Sequence, residues 1–89
     1  MIIELKKFGN TLISRQAGRE ALAAFQPTLQ DISATETIEI DFDGVLTFSP
    51  SWADEFLTPL RNEFGSLVIL HETSNHSVRV SLEILDENR

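Results

Sequence analysis

Short apolar runs rich in β-branched residues punctuate the chain and predict strands. In the middle run Ile38, Ile40 and Phe42 alternate with acidic residues, which is typical of a half-buried strand. A stretch with helical spacing follows each run, and strands that alternate with helices predict an α/β fold. We expect a small mixed β-sheet of about four strands with helices packed on it. The three runs span residues 1–8, 37–42 and 66–71.

Two helices are predicted from capping residues and from the spacing of apolar side chains. Ser14 is a plausible N-cap for a helix to about Phe25, which Pro27 ends or bends. The second helix opens at Ser49 and Pro50, because serine suits the cap and proline the first helical position. Gly65 is its natural end. Its apolar stripe consists of Ala53, Phe56, Leu57, Leu60 and Phe64, with Pro59 inside it as a predicted bend.

The last segment fits both a helix and a strand. Val78, Leu82 and Leu85 form a helical stripe, whereas Val78, Val80, Leu82 and Ile84 alternate as in a half-buried strand. If the segment is a helix, Val80 and Ile84 form a second apolar face that needs a second partner.

The length, charge and cysteine content of the chain exclude several functional classes. The chain has 89 residues, which is enough for one domain covering residues 1–89. Its 14 acidic and 7 basic side chains give a net charge of −7, which argues against a binder of nucleic-acid backbone or anionic lipid. It has no cysteine, so a thiolate nucleophile and a disulfide scaffold are excluded. We expect a cytoplasmic protein without a cofactor, and no metal site at His71 and His76.

The segment from Ile38 to Thr47 resembles the first motif of haloacid-dehalogenase-type phosphatases. There an aspartate attacks phosphorus and a second one, two residues on, acts as general acid and base; Asp41 and Asp43 have this spacing. The chemistry also needs a lysine near the phosphoaspartate, but Lys6 and Lys7 lie well before the motif. A phosphatase fragment is therefore a remote alternative, and a polar strand end before a glycine turn is the simpler interpretation.

A second resemblance covers most of the chain. The stretch from Ile40 to Val45, followed by the stretch from Phe48 to Leu57 with its Ser51-Trp52-Ala53-Asp54-Glu55 cluster, resembles the bacterial STAS-like domain family, which is distantly similar to anti-sigma-factor antagonists. The Ser14-Arg15 pair is similar to the opening of that family's first helix. The resemblance implies a STAS-like fold and a regulatory module without catalytic activity. It also favours a helix for the last segment.

In related antagonists the domain binds a histidine-kinase-like ATPase, which phosphorylates a serine at the start of a helix. The resemblance therefore implies such a partner here, with Ser51 or Ser49 as phosphoacceptor candidates, although proline occupies the position aligned with the usual acceptor. Capping of the helix is the alternative role for both serines.

The expected partner-binding residues lie at the corner where the middle strand leads into the second helix: Asp43, Trp52, Asp54 and Glu55. Tryptophan is favoured at binding hot spots, and the alternative is that Trp52 covers the strand end. An alternative hypothesis is that the chain is an acidic, self-associating or immunity-type protein that neutralises a basic partner. Homodimerisation through Val80 and Ile84 is compatible with both hypotheses.

Overall fold

The computed structural model describes residues 1–87 and has the predicted α/β architecture, with three helices and five short strands. The strands are β1 (Ile2–Glu4), β2 (Thr11–Leu12), β3 (Ile38–Asp41), β4 (Thr47–Phe48) and β5 (Val68–Leu70). The helices are α1 (Arg15–Gln30), α2 (Pro50–Phe64) and α3 (His76–Glu87), with short 3-10 turns at Leu5–Phe8 and Gly65–Leu67. None of the helices within these residues is long and apolar enough to cross a membrane.

The strands form two groups, and every ladder between residues 1 and 87 is parallel. Strand β3 lies between β1 and β5, and β2 pairs separately with β4. A mixed sheet of about four strands was expected, but the pairing is parallel throughout the described residues. Gly9 at φ 118° leads the chain away from β1, and the Asn10 carbonyl accepts hydrogen bonds from Leu46 and Thr47. Helix α1 lies in the connection between the paired strands β1 and β3, and α2 in that between β3 and β5, so each supplies the long crossover that parallel pairing requires.

The core lies on one face of β3, where Ile38 and Ile40 are fully buried. The stripe predicted on α2 belongs to the same core: Ala53, Phe56, Leu57 and Leu60 are buried, and Phe64 is partly buried against it. Both helices with an internal proline continue past it, α1 to Gln30 and α2 to Phe64. Pro27 and Pro59 both occupy exposed positions of their helices, away from the core.

The last segment is a helix, as the family resemblance predicted. The Asn75 side chain caps it by accepting a hydrogen bond from the Val78 N–H at 3.0 Å. Val78 and Leu85 are buried, because helical spacing turns them to the core. Val80 is half-buried and Ile84 is 38% exposed, so both lie away from the core centre, and their role in a homodimer stays a prediction.

Helices α1 and α2 approach closely at Gly18. A Cβ atom at this position would lie 2.7 Å from the Trp52 carbonyl oxygen and 3.1 Å from Glu55 Cβ. The helix backbones can therefore come together only where α1 has no side chain.

We predict that Gly18→Ala destabilises the domain, although alanine is the better helix former by about 1 kcal/mol. The added methyl group must push α1 from α2, and overpacking of this kind costs about 1–3 kcal/mol. Urea denaturation should show the loss. Ala23→Leu, which adds bulk on the exposed side of α1, is the control. Equal stability of Gly18→Ala and the wild type would contradict the close contact.

Candidate functional site

The loop after β3, residues 43–46, lies at the carboxyl edge of the sheet and is held from two sides. The Asn75 side-chain amide donates to the carbonyl groups of Val45 at 2.9 Å and Leu46 at 3.2 Å. The Leu46 N–H donates to the Asn10 carbonyl at 2.8 Å. The backbone of this loop is therefore fixed by α3 and by the start of β2.

Hydrogen bonds from α3 also fix the step from this loop into α2. The hydroxyl groups of Ser77 and Ser81 each donate to the Phe48 carbonyl at 2.9 Å, and the Phe48 N–H donates to Ser77 Oγ. Ser81 is buried, so its hydroxyl needs this partner. No pattern in the sequence pointed to these serines, because their partner lies about thirty residues away along the chain.

Leu46 is the most exposed apolar side chain of residues 43–55, a segment that we call the α2 corner. It is 65% exposed although its backbone is hydrogen-bonded on both sides. Asp43 is also exposed, as the sequence interpretation required. Leu46 was missed, because in the sequence it belongs to an apolar link that could equally have been buried.

The prediction that Trp52 contacts a partner is wrong, because its side chain is 0% exposed. Its ring stacks on Phe56 with centroids 4.9 Å apart, and Phe48 and Phe8 lie 5.6 and 6.2 Å away. Trp52 therefore belongs to the core, where it covers the strand end. The i, i+4 spacing to Phe56 was the signal that could have shown it.

Asp54 and Glu55 bind α1. The Arg15 guanidinium donates to Asp54 Oδ2 at 2.9 Å and to Glu55 Oε1 at 3.1 Å, and Arg19 reaches Glu55 at 3.4 Å. The hydrogen bond to Asp54, followed by that to Glu55, raises the pKa of Arg15 above its ordinary value. A partner of these carboxylates would have to share them with Arg15. Sequence reasoning singled out Arg15 but not its contact with Asp54 and Glu55.

The two candidate serines have different surroundings. Ser49 Oγ accepts a hydrogen bond from the Trp52 N–H at 3.2 Å and donates one to the Ile13 carbonyl at 2.6 Å. Ser49 is thus a helix cap that also ties α2 to the end of β2. The Ser51 hydroxyl, on the first turn of α2, has no hydrogen-bond partner within residues 1–87 and is half exposed.

Asp41 and Asp43 form a turn after β3. Asp41 Oδ1 accepts a hydrogen bond from the Asp43 N–H at 2.9 Å, and Gly44 follows at φ 85°. A Cβ atom at Gly44 would lie 2.9 Å from Lys6 Cδ, so the fold brings Lys6 to the motif from which it is distant in sequence. In the part of the chain that the structure describes, no three His, Cys, Asp or Glu residues are grouped to hold a metal ion.

The family model "STAS-like domain of unknown function (DUF4325)" matches residues 22–81, which include β3, the α2 corner and the first half of α3. The chain belongs to this STAS-like family. The matched stretch of the STAS-like domain contains Trp52, Asp54 and Glu55, whereas Ser14 and Arg15 precede it. No curated protein and no solved structure shows a significant match to the chain.

In this STAS-like domain the residues of the motif join α1, α2 and the strands. Trp52 fills the core, Ser49 caps α2, and Asp54 and Glu55 hold Arg15. The exposed part of the α2 corner lies in the loop before the helix, at Asp43 and Leu46.

The hydrogen bonds of the two serines predict that removing each hydroxyl group changes the free energy of unfolding by a different amount. Ser49→Ala should lower the free energy of unfolding by about 1–2 kcal/mol, because it deletes the cap of α2 and the bond to Ile13. Ser51→Ala should change it by less than about 0.5 kcal/mol. Chemical denaturation of both variants checks the difference. A loss for Ser51→Ala as large as that for Ser49→Ala would contradict these assignments.

Proposed function

We propose that this STAS-like domain is a non-catalytic regulatory module that binds a histidine-kinase-like ATPase through the α2 corner. The observation that carries the proposal is Leu46, which is 65% exposed on a loop whose backbone is hydrogen-bonded by Asn75, the cap of α3, and by Asn10, which precedes β2. Because the backbone that carries this exposed apolar side chain is already fixed, binding orders less of the chain, which favours its use as an anchor.

Family membership and the position of the loop support the proposal. Distantly similar anti-sigma-factor antagonists bind such ATPases, and the matched residues include this corner. The loop follows the central strand β3, and the carboxyl edge of a parallel sheet is the usual place of ligand sites in α/β folds. Asp43 beside Leu46 adds a charge that can select the partner's orientation.

We further propose Ser51 as the phosphoacceptor. Its hydroxyl is not used for capping, whereas the Ser49 hydroxyl both donates and accepts a hydrogen bond. A phosphate adds about −1.5 to −2 charges. On Ser51 it lies one helical turn before Asp54 and Glu55, so it repels their carboxylates and competes with them for Arg15. Phosphorylation would thereby change the charge and contacts of the α2 corner.

Leu46→Thr should weaken binding to the ATPase domain encoded nearest to this chain by about tenfold or more, as expected for an interface anchor. Isothermal titration calorimetry measures the dissociation constant. The matched control is Ile69→Thr, which removes a 44% exposed apolar side chain from the far edge strand β5. Binding that is insensitive to Leu46→Thr, or equally sensitive to both variants, would exclude the α2 corner as the docking site.

Incubation with the same ATPase and ATP should add one phosphate to Ser51, located by fragmentation mass spectrometry. Ser51→Ala should abolish the modification, whereas Ser49→Ala should retain it, since its loss destabilises the helix cap without removing the acceptor. Circular dichroism confirms that each variant is folded. Absence of phosphate between Phe48 and Trp52 would overturn this part of the proposal.

A further inference from the structure

One face of the three-stranded sheet is open to solvent. Register places Ile2, Glu39 and Ile69 in one row across β1, β3 and β5. Ile2 is 56% and Ile69 44% exposed, and strand residues with such exposure cannot lie beneath a helix. The next row on this side has Glu4 beside Asp41, with His71 following β5. We call this surface the open sheet face: Ile2, Glu4, Glu39, Asp41, Ile69 and His71.

An open face is unusual for parallel strands. All-parallel sheets occur almost only with both faces covered. Here Ile38 and Ile40 are buried on one side of β3, whereas Glu39 and Asp41 on the other side are only partly buried. The isoleucines at the two edges give this second side an apolar character that solvent alone does not explain.

Charge decides which kind of partner can cover this face. It carries the carboxylates of Glu4, Glu39 and Asp41, and its one basic side chain is His71, whose Nε2 lies 3.0 Å from Glu39 Oε1. Two copies of the chain packed through this face would oppose three carboxylates to three, which is unfavourable. A cationic partner gains from the same carboxylates.

We infer that the open sheet face binds a cationic amphipathic helix of a protein partner. Adjacent strands are about 4.8 Å apart, so Ile2 and Ile69 on the two edge strands are separated by about 10 Å. Residues i and i+7 of a helix are about 10.5 Å apart along its axis. A helix with apolar residues at i and i+7 and a lysine or arginine at i+3 or i+4 therefore contacts both isoleucines and places its charge over Glu39. This surface adjoins the α2 corner where Asp41 accepts a hydrogen bond from the Asp43 N–H, and the inference does not depend on the proposed function.

A pair of alanine-based helical peptides tests the inference on the full chain. One carries Leu at i and i+7 with Arg at i+3 and i+4; the other has Glu in place of both Arg residues. Fluorescence anisotropy should show that the cationic peptide binds about tenfold or more tightly than the acidic one. Amide chemical-shift changes should be centred on Ile2, Glu39 and Ile69.

Variants separate this surface from the rest of the protein. Glu39→Lys should make the acidic peptide bind more tightly than the cationic one. Glu39→Gln, which keeps the side-chain shape, should reduce the difference between the two affinities. Glu83→Lys, which changes an exposed acidic residue of α3, is the matched control, and the cationic peptide should still bind it more tightly than the acidic one. Ile69→Thr should weaken binding of the cationic peptide, whereas Leu46→Thr should leave it unchanged.

Equal affinity of the two peptides, absence of binding at millimolar concentration, or shift changes centred elsewhere would each overturn the inference. An unchanged peptide order in Glu39→Lys would do the same. Failure of the ATPase to bind would leave the result of this experiment unaffected, because no ATPase is present in it.

Discussion

The packing of Trp52 holds together the parts of this small domain. Its ring lies at the first turn of α2 and contacts Phe8 from the turn after β1, Phe48 from β4 and Phe56 from its own helix. Removing a buried aromatic side chain costs about 3–5 kcal/mol. That is a large share of the roughly 5–15 kcal/mol by which domains are stable. The backbone carbonyl of the same residue sets how closely α1 can approach, through Gly18.

This packing shows that most residues of the sequence motif make contacts inside the domain. A serine, an aromatic residue and two acids at the start of a helix have the composition of a docking surface, and here most of their chemistry is used inside the molecule. Ser49 caps α2 and binds the Ile13 carbonyl, Trp52 is buried, and Asp54 and Glu55 bind Arg15. Residues that recur in a motif can therefore mark the junction that builds a binding loop, while Leu46 beside it remains available for contact.

The same junction leaves the sheet with two different faces. Helix α2 buries its apolar stripe on the side of Ile38 and Ile40, and the other side of β3 carries Glu39 and Asp41. A chain of this length has few elements with which to cover both sides. Three of its 14 acidic side chains, Glu4, Glu39 and Asp41, lie on the open sheet face.

Sequence alone determined the features that depend on neighbours along the chain. The alternation at Ile38 and Ile40, the stripe on α2 and the caps Ser14 and Ser49 follow from local periodicity and local hydrogen bonds. The α/β class and the STAS-like family were predicted from these features and from the motif, and both were confirmed.

Tertiary structure decided what depends on residues distant in sequence. The apolar residues of the last segment fit the periodicity of a helix and also that of a strand. Packing of Val78 and Leu85 on the core selected the helix. Arg15 reaches Asp54 across nearly forty residues, Lys6 lies against Gly44, and the pairing of β2 with β4 places Leu46 beside Asn10. Exposure is a property of the assembled surface, so the burial of Trp52 and the accessibility of Leu46, Ile2 and Ile69 could be known only once the helices were placed on the sheet.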